Sequence, residues 1–370
     1  MIYNTINDLA PSIMGIGIMR HDANDFNTTQ NIIDLCMKNG INYFESCYFY
    51  LNNNCEKILA KALKKYPRDS YILCGKMPVH GVLERKSIED VFNEQLKNCN
   101  TNYFDVYLLQ ALDRNCFDIL KKQNAIEFLN KKREQGIIKN FGFSFHDTPE
   151  ILEKYISINN WDCVQLQLNY YDWYISMGKE LYSICSKYNL PIIVMGGVKG
   201  GTICENLPEE AKKILKNLNP NIPIVYWAYK FLTTLSNVKV ILSGANNIEQ
   251  IQQNIDFFND KNNFGLCKYE IEYIKKVIEL YKEQNYIGCT SCGYCMSECP
   301  QRINIKDVFN LYNKILKNKD DKNSRDLYLK ILKSDNSPLD CRGCGKCSKK
   351  CPQHLDISSF MHKQIFALRA

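Results

Sequence analysis

Short apolar segments alternate with amphipathic stretches through about the first 265 residues, which predicts strands alternating with helices. The predicted strands cover residues 13–19, 41–45, 71–76, 105–110, 139–144, 162–168, 192–195 and 238–243. The predicted helices include residues 29–39, 55–65, 88–98, 125–135 and 148–157. Eight strands that alternate with helices predict an α/β fold of the (β/α)8 TIM-barrel type.

A doubly wound parallel sheet is the competing fold for this alternation. Such a sheet that binds a dinucleotide carries a glycine-rich fingerprint after its first strand. Here Gly15 and Gly17 follow the pattern, but no third glycine stands at the required spacing. The barrel is therefore favoured.

The C-terminal region carries two copies of one cysteine pattern, C-x2-C-x2-C-x3-C-P. This run ligates [4Fe–4S] clusters in two-cluster ferredoxins, where the fourth cysteine usually ligates the other cluster. The first cluster is therefore assigned to Cys289, Cys292, Cys295 and Cys351. The second cluster is assigned to Cys341, Cys344, Cys347 and Cys299.

Zinc binding and a disulfide framework are the alternatives for these cysteines. Zinc sites favour two C-x2-C pairs, often mixed with histidine, and do not require a doubled three-plus-one run. No secretory signal is present, so the 18 cysteines indicate a reducing cytoplasm rather than disulfides. The ten cysteines outside the two motifs lie in apolar segments and are interpreted as small buried hydrophobic residues.

The domain boundaries follow from these patterns. The barrel is predicted over residues 1–267, a linker helix over 268–286 and the two-cluster domain over 287–370. The 41 residues between Cys299 and Cys341 are more than a compact ferredoxin hairpin needs. They contain helix-like stretches at 306–316 and 325–332, so the two-cluster ferredoxin-like domain is predicted to be small and mostly helical.

The formal net charge of +7 is concentrated near the clusters. Residues 302–350 contain 13 lysines and arginines against 6 aspartates, an excess of seven positive charges. No stacking motif or recognition helix accompanies them, so nucleic-acid binding is not expected. Compensation of anionic clusters, docking of ferredoxin or another acidic electron carrier, and a plain solvated face remain open. No apolar run approaches membrane-spanning length, and no membrane association is expected.

Several strand-end motifs resemble those of the aldo-keto reductases, over about residues 10–260. The motifs are Gly40-Ile-Asn-Tyr-Phe-Glu45-Ser-Cys-Tyr-Phe-Tyr50, then Lys76, Tyr107-Leu-Leu-Gln110, Gly142-Phe-Ser144, and Ser243-Gly244-Ala245 with Gln250 and Asn254. With the cysteine-rich tail, the chain resembles the branch of that family that carries a C-terminal 4Fe–4S module.

The resemblance implies a catalytic tetrad of Asp, Tyr, Lys and His that reduces carbonyls. Tyr50 takes the proton-donor position, and Lys76 takes the position of the cation that lowers the pKa of that tyrosine. Glu45 replaces the aspartate and adds one methylene group, whereas Gln110 replaces the histidine and keeps an N–H donor without titrating. The pair of changes suggests an altered substrate or reaction.

The resemblance also implies a nicotinamide cofactor, NADP or NAD. It places Ser144 and Gln165 at the carboxamide, Ser243 at the end of the last strand, and Asn254 at the adenine. The glycine-rich run Gly196-Gly197-Val-Lys199-Gly200-Gly201 would bind phosphate through backbone N–H groups. The family's cations for the 2′-phosphate correspond to Gly244 and Gln250, which weakens the case for NADP over NAD.

The leading functional prediction is an NAD(P)-linked oxidoreductase acting on a small-molecule carbonyl or alcohol, with two [4Fe–4S] clusters that relay electrons. Nicotinamide transfers two electrons as hydride and a cluster transfers one, so such coupling normally needs an intermediate carrier. The alternative is an electron-transfer or redox-sensing protein whose barrel is a scaffold. Glu45 and Gln110 favour that alternative.

Overall fold

The structure, a computed structural model, describes residues 1–283, 286–318 and 321–367, with side chains described to residue 362. The chain divides into two compact units. The first unit comprises Met1–Gly197 and Tyr226–Cys267, and the second comprises Val198–Val225 and Lys268–Ala370.

The first unit is a closed barrel of eight parallel strands in sequence order. The strands are β1 Met14–Gly17, β2 Tyr43–Glu45, β3 Ile72–Pro78, β4 Phe104–Leu112, β5 Ile138–Phe145, β6 Cys163–Gln167, β7 Ile192–Met195 and β8 Val238–Ser243. β8 pairs with β1 and closes the ring. The predicted (β/α)8 barrel is confirmed, and every predicted strand overlaps one of these eight.

Helices follow the strands, and several begin at a side-chain cap that matches the sequence. Asp25 caps α1 by accepting from Thr28 N–H, and Ser87 caps α3 by accepting from Asp90 N–H. The helices are α1 Phe26–Lys38, α2 Cys55–Leu63, α3 Ile88–Asn98, α4 Cys116–Lys122, α5 Ala125–Glu134, α6 Pro149–Ser157, α7 Tyr170–Ile175, α8 Gly178–Lys187, α9 Thr202–Glu205, α10 Glu209–Leu218, α11 Ile224–Thr233, α12 Ile248–Asn259, α13 Lys268–Glu283, α14 Ile305–Lys317, α15 Lys322–Leu332, α16 Lys346–Lys349 and α17 Ile357–Ala367.

The barrel interior is filled by apolar side chains from its strands and from the N-terminal segment. Tyr43 is fully buried there, and a Cβ on Gly15 would lie 2.8 Å from its ring. Glycine at position 15 therefore makes room for the tyrosine. Ile6, from a short antiparallel turn at the N-terminus, joins the same cluster. This core fixes the strands whose carboxyl ends carry the candidate site.

The regular secondary structure in the described residues of the second unit is all helical, in agreement with the mostly helical domain predicted for the C-terminal region. Its core includes Val308 and Phe309 of α14 together with Tyr328 of α15 and two motif cysteines, Cys295 and Cys347. Asn313 of α14 donates to the carbonyl of Ile287 and accepts from its N–H, each at 2.8 Å. The chain is thus held to α14 two residues before the first motif cysteine.

The unit division differs from the boundaries expected from the sequence in one respect. One boundary between the units falls after Cys267, but residues Val198–Val225, between β7 and β8, belong to the second unit. There α10 packs against α13, the helix that the sequence predicts as a linker. The predicted end of that helix at residue 286 follows residues 284–285, which lie outside the described residues.

Two further expectations concern burial and membranes. Of the ten cysteines outside the motifs, eight are buried, whereas Cys204 is half-buried and Cys267 is exposed. Among the helices of the described ranges, none combines the length and the apolar character needed to cross a membrane.

Candidate functional site

A buried ion pair lies at the carboxyl ends of β2 and β3. The Lys76 amine is 2.5 Å from Oε1 of Glu45, and the two side chains are only 4% and 7% exposed. Burial acts to lower the pKa of Lys76, but the charge and hydrogen bond of Glu45, together with the nearby thiols of Cys47 and Cys74, raise that pKa above its ordinary value. The amine is therefore a fixed cation at neutral pH.

Gln165 of β6 completes this group from another part of the barrel. Its Oε1 accepts a hydrogen bond of 3.1 Å from Lys76, and its Nε2 donates to the second carboxylate oxygen of Glu45. The amide thereby bridges both charges and occupies polar atoms that would otherwise be buried without partners. The sequence places Gln165 at a nicotinamide, whereas the structure engages it with the ion pair.

Tyr50 lies in the loop between β2 and α2, where it faces the same cation. The Lys76 amine is 5.7 Å from the centroid of the Tyr50 ring. The three residues after it, Leu51, Asn52 and Asn53, all have φ between 52° and 64°. This left-handed turn brings the chain around beside the strand end. The cation would stabilise a negative charge developing on the phenol.

Gln110 occupies the corresponding end of β4 and is 3% exposed. Its Oε1 accepts a 2.8 Å hydrogen bond from the thiol of Cys47. Burial raises the pKa of Cys47 to about 12, so the thiol stays protonated and acts as the donor. With the oxygen thus occupied, the Gln110 amide has its NH2 group left to donate.

A backbone irregularity follows Gln110 directly. The pairing of β4 with β5 shifts register between Leu109 and Leu112, and Ala111 has a φ of 52°. The N–H of Ala111 donates to Oγ of Ser144 at 2.7 Å. Ser144 thus holds the bulge in place. A non-glycine residue in this conformation carries strain of the kind found at functional sites.

The residues predicted to hold a nucleotide are placed as follows. Asn254 is buried and donates to Oγ of Ser243 at 2.9 Å, so these two residues meet after β8. Gln250 and Gly244 are exposed. Arg20, which the sequence analysis did not single out, passes beside Gly244, because a Cβ there would lie 3.4 Å from Cδ of Arg20. Arg20 also lines a surface cavity with Asn246.

The glycine-rich run after β7 is divided between the two units. Gly196 and Gly197 belong to the barrel, and the Gly196 carbonyl accepts from Asn169 at 3.0 Å. Lys199 and the two glycines that follow it, 200 and 201, belong to the second unit. Lys199 is buried there and donates to Oε1 of Gln353 at 2.8 Å. The side chain of this lysine is thus hydrogen-bonded to a residue two positions after Cys351.

The cysteines of the predicted first cluster line one cavity in the second unit. All four members of that set, Cys289, Cys292, Cys295 and Cys351, contribute to its wall. Burial raises the pKa of Cys295 to about 12, and three other thiols of the set raise it further. The apolar side chains of Ile305 and Phe309 complete the lining. Four thiols around an apolar cavity suit a [4Fe–4S] cluster.

The second predicted set also lies in this unit. Burial raises the pKa of Cys347, and the charges of Cys299 and Cys341 raise it further. Cys344 is exposed.

Comparison with protein families identifies the chain. A model described as the aldo/keto reductase family matches residues 13–279, and a model described as a 4Fe-4S dicluster domain matches residues 288–355. The chain belongs to the aldo/keto reductase family. It carries a 4Fe–4S dicluster domain after the barrel, as the sequence motifs indicate.

Individual relatives are distant in sequence. An uncharacterized oxidoreductase of Bacillus subtilis is 20% identical over 68% of this chain and 89% of its own length. A probable aldo-keto reductase of Glycine max is 23% identical over 48% of this chain and 53% of its own length.

Solved structures agree on the fold. The holo form of an aldo-keto reductase of Bacillus halodurans superposes with a TM-score of 0.64 at 22% identity, covering 75% of this chain and 96% of that one. An aldo-keto reductase of Klebsiella pneumoniae, in complex with NADP and acetate, gives a TM-score of 0.60 at 17% identity, over 73% and 92%.

Within this aldo/keto reductase barrel, two of the other three predicted tetrad positions lie beside Lys76, and the third, Gln110, lies on the neighbouring strand β4. Glu45 and Tyr50 contact the lysine, and Gln110 is linked to Cys47 in the same loop as Tyr50. Sequence reasoning missed the bridging role of Gln165 and the presence of Arg20. An arginine three residues after β1 was the available signal for the latter.

Proposed function

We propose that the chain is an NAD(P)-dependent oxidoreductase that interconverts a small-molecule carbonyl compound and its alcohol at the barrel mouth. The observation that carries this proposal is the buried Glu45–Lys76 ion pair facing the ring of Tyr50. A fixed cation beside a phenol is what a tyrosine needs to give up its proton near neutral pH.

Each residue of the site has a proposed role in the reaction. A bound nicotinamide cofactor supplies or accepts the hydride at the carbonyl carbon. Tyr50 delivers its phenolic proton to the carbonyl oxygen and takes it back in the reverse direction. Lys76 stabilises the phenolate that remains, and Glu45 keeps Lys76 charged. The NH2 group of Gln110 donates to the carbonyl oxygen and helps to bind the charge that develops there.

The nucleotide is proposed to lie along the carboxyl ends of β5 to β8. Ser144, Gln165, Ser243, Gln250 and Asn254 remain the proposed contacts of its nicotinamide and adenosine parts. The glycine-rich run, Gly196, Gly197, Lys199, Gly200 and Gly201, remains the proposed phosphate-binding segment. The bond of Lys199 to Gln353 favours the backbone N–H groups over this side chain. Arg20 supplies a cation beside Gly244.

Two [4Fe–4S] clusters are proposed for the second unit. Cys289, Cys292, Cys295 and Cys351 would hold the first, and Cys341, Cys344, Cys347 and Cys299 the second. When bound, the clusters would supply one-electron transfer. The excess of positive charge over residues 302–350 suits an acidic carrier such as ferredoxin as the electron partner.

The proposal is tested by anaerobic titration of the cluster-loaded protein with NADH and with NADPH. Nicotinamide absorbance and cluster absorbance are followed together, first alone and then with a panel of small aldehydes and ketones. Oxidation of the nicotinamide that requires a carbonyl compound supports the proposal. Clusters that accept electrons from an external carrier, in a protein that neither binds nor oxidises nicotinamide, would instead establish a scaffold for electron transfer.

That second function has a specific observation in its favour. Gln165 is occupied by the ion pair, and Lys199 by Gln353, so two residues expected at the nucleotide already have polar partners. The variant Gln165→Leu tests whether this residue takes part in nicotinamide binding. It weakens nicotinamide binding if the amide also contacts the cofactor, and it leaves cluster reduction unchanged in either case.

A further inference from the structure

Three potential ligand atoms of different types converge in the loops that follow β3 and β4. Nε2 of His80 lies 3.2 Å from Oδ2 of Asp113 and 3.2 Å from Sγ of Cys116. The same sulfur lies 3.5 Å from Oδ1 of Asp113. This group of three side chains belongs neither to the Lys76 site nor to the two cysteine motifs.

The geometry distinguishes an ion site from a catalytic relay. In a Cys–His–Asp relay the histidine holds the nucleophile with one ring nitrogen and the carboxylate with the other. Here the sulfur and the carboxylate both approach the same nitrogen of His80. A single N–H cannot serve both partners fully, whereas one cation can bind that nitrogen, the sulfur and one oxygen of the carboxylate.

The separations match those around a tetrahedral zinc ion. With a Zn–S bond of about 2.3 Å and Zn–N or Zn–O bonds of about 2.0–2.1 Å, neighbouring ligand atoms lie roughly 3.3–3.6 Å apart. The observed separations are 3.2 Å from Nε2 of His80 to Sγ of Cys116, 3.2 Å from that nitrogen to Oδ2 of Asp113, and 3.5 Å from the sulfur to the other oxygen, Oδ1. With one ligand atom taken from each side chain, all three lie within 4.8 Å of one another. Little movement is needed to close the three side chains on one ion.

The surroundings hold the ligands in place. Tyr155 donates from its hydroxyl to the Asp113 carbonyl at 2.8 Å, and the Asn115 N–H donates to Oδ1 of Asp113 at 2.8 Å. Cys116 is fully buried, while the side chains of His80 and Asp113 are each 24% exposed. An ion could thus enter from solvent on the side of the histidine and the carboxylate and meet the sulfur inside.

We propose that His80, Asp113 and Cys116 bind one divalent ion of the zinc class. Imidazole, carboxylate and thiolate together suit Zn²⁺ and exclude Mg²⁺ and Ca²⁺ as preferred ions, because those ions take oxygen ligands. On binding, the Cys116 thiol releases its proton to solvent as the metal–sulfur bond forms. Three protein ligands leave the fourth position to water or to a small anionic ligand. The ion ties the β3 and β4 loops together.

The test uses the full chain with its clusters loaded and its iron content verified, so that the motif cysteines do not capture zinc. Zn²⁺ is titrated by calorimetry, and the coordination of the bound ion is read by X-ray absorption at the zinc edge, to which iron is silent. We expect one equivalent of zinc with one sulfur ligand at about 2.3 Å and the remaining ligands at about 2.0–2.1 Å.

Variants at the ligands give the decisive comparison. Cys116→Ser and Asp113→Asn should each weaken zinc binding by roughly tenfold or more, since each removes an anionic ligand. Cys185→Ser, at another buried cysteine, is the matched control and should bind like the unmodified chain. Asp113→Asn keeps an oxygen for Asn115 and guards against misfolding. An all-sulfur shell, failure of the cluster-loaded chain to bind zinc, or unchanged affinity in both variants would overturn the proposal.

Discussion

The Cys47 thiol donates a 2.8 Å hydrogen bond to Oε1 of Gln110, and this contact fixes which end of the buried amide is free to donate. Without it, the amide could turn through 180° and present its oxygen to a substrate oxygen instead. The orientation of Gln110 thus depends on a residue that the family resemblance gives no role.

Replacing Cys47 tests that dependence. Cys47→Ala removes the donor and should lower kcat/KM for carbonyl reduction about tenfold, the value of one oriented hydrogen bond at a charged oxygen. Cys47→Ser, which keeps a donor, is the control and should retain most of the activity. Nicotinamide affinity should be the same in all three proteins. Equal activity of the alanine and serine variants would contradict an orienting role.

Tyr50→Phe tests the proton donor. Only the hydroxyl is lost, so carbonyl turnover should fall by about 10²–10⁴-fold while nicotinamide binding and iron content stay unchanged. Tyr48→Phe removes a neighbouring hydroxyl that bonds Glu94 instead, and it should keep its activity. Stopped-flow measurement of nicotinamide oxidation provides the rates. Full turnover in the Tyr50 variant would show that the proton comes from another group.

The Glu45–Lys76 pair predicts a loss of stability at high pH. The pKa of Lys76 is raised in the folded chain, so the stabilising contribution is complete below the unfolded value of 10.5. It declines as the pH rises above that value toward the folded pKa, by at most about 1.4 kcal/mol per pH unit. Urea unfolding from pH 8 to 11 measures the decline.

The double variant Glu45→Gln with Lys76→Met is the control for that measurement. It lacks both charges, so any pH dependence of its stability in this range comes from the remaining lysines, tyrosines and cysteines. The difference in the free energy of unfolding between the two proteins should be constant to about pH 10 and shrink above it. A difference that shrinks on the acidic side instead would contradict the assignment.

Arg20 predicts a preference between the two nicotinamide cofactors. If its guanidinium meets the 2′-phosphate beside Gly244, Arg20→Leu should weaken NADPH binding about tenfold and leave NADH binding unchanged. Arg85→Leu, at an exposed arginine of the β3–α3 loop, is the matched control. Fluorescence titration with both cofactors gives the affinities. An equal effect on NADH and NADPH would assign Arg20 a purely structural role.

The position of Lys199 predicts a shift in the potential of the first proposed cluster, of which Cys351 is a proposed ligand. Burial raises the pKa of Cys351, and the charge of Lys199 counters part of that rise, so this cation acts on a cluster ligand. Lys199→Met should make reduction of that cluster less favourable, lowering its potential by on the order of 50 mV. EPR-monitored redox titration measures the shift, with the exposed Lys333→Met as control. Identical potentials in the Lys199 and Lys333 variants would contradict the prediction.

The barrel could be predicted from the sequence because its period is local. Each strand is a short apolar run, and each helix repeats its apolar positions every three or four residues. The Glu45–Lys76 pair was also predictable, because each residue ends one of two neighbouring predicted strands, 41–45 and 71–76. The assignment of residues 198–225 to the second unit could not be predicted, because their local pattern does not indicate which unit their apolar side chains pack against.

The unpredicted parts of the site depend on side chains that meet across long sequence separations. Gln165 reaches Glu45 from β6, and the reach of its side chain decides that contact, not the motif around it. His80 and Cys116 are 36 positions apart, and the sequence marks Cys116 only as one of several buried cysteines. Such contacts follow from the packed barrel, and the order of residues gives little sign of them.

The clamp of Asn313 on Ile287 bears on how the metal centre is built. Both polar atoms of the Ile287 backbone are held by one amide on α14, and this hold needs no iron. The backbone just before Cys289 is therefore ordered before any metal is delivered. Much of the conformational entropy of this segment is lost on protein folding and not on cluster binding. The cluster is then inserted into a segment that is already ordered. In a chain that lacks the Asn313 amide, cluster insertion should be slowed more than folding is.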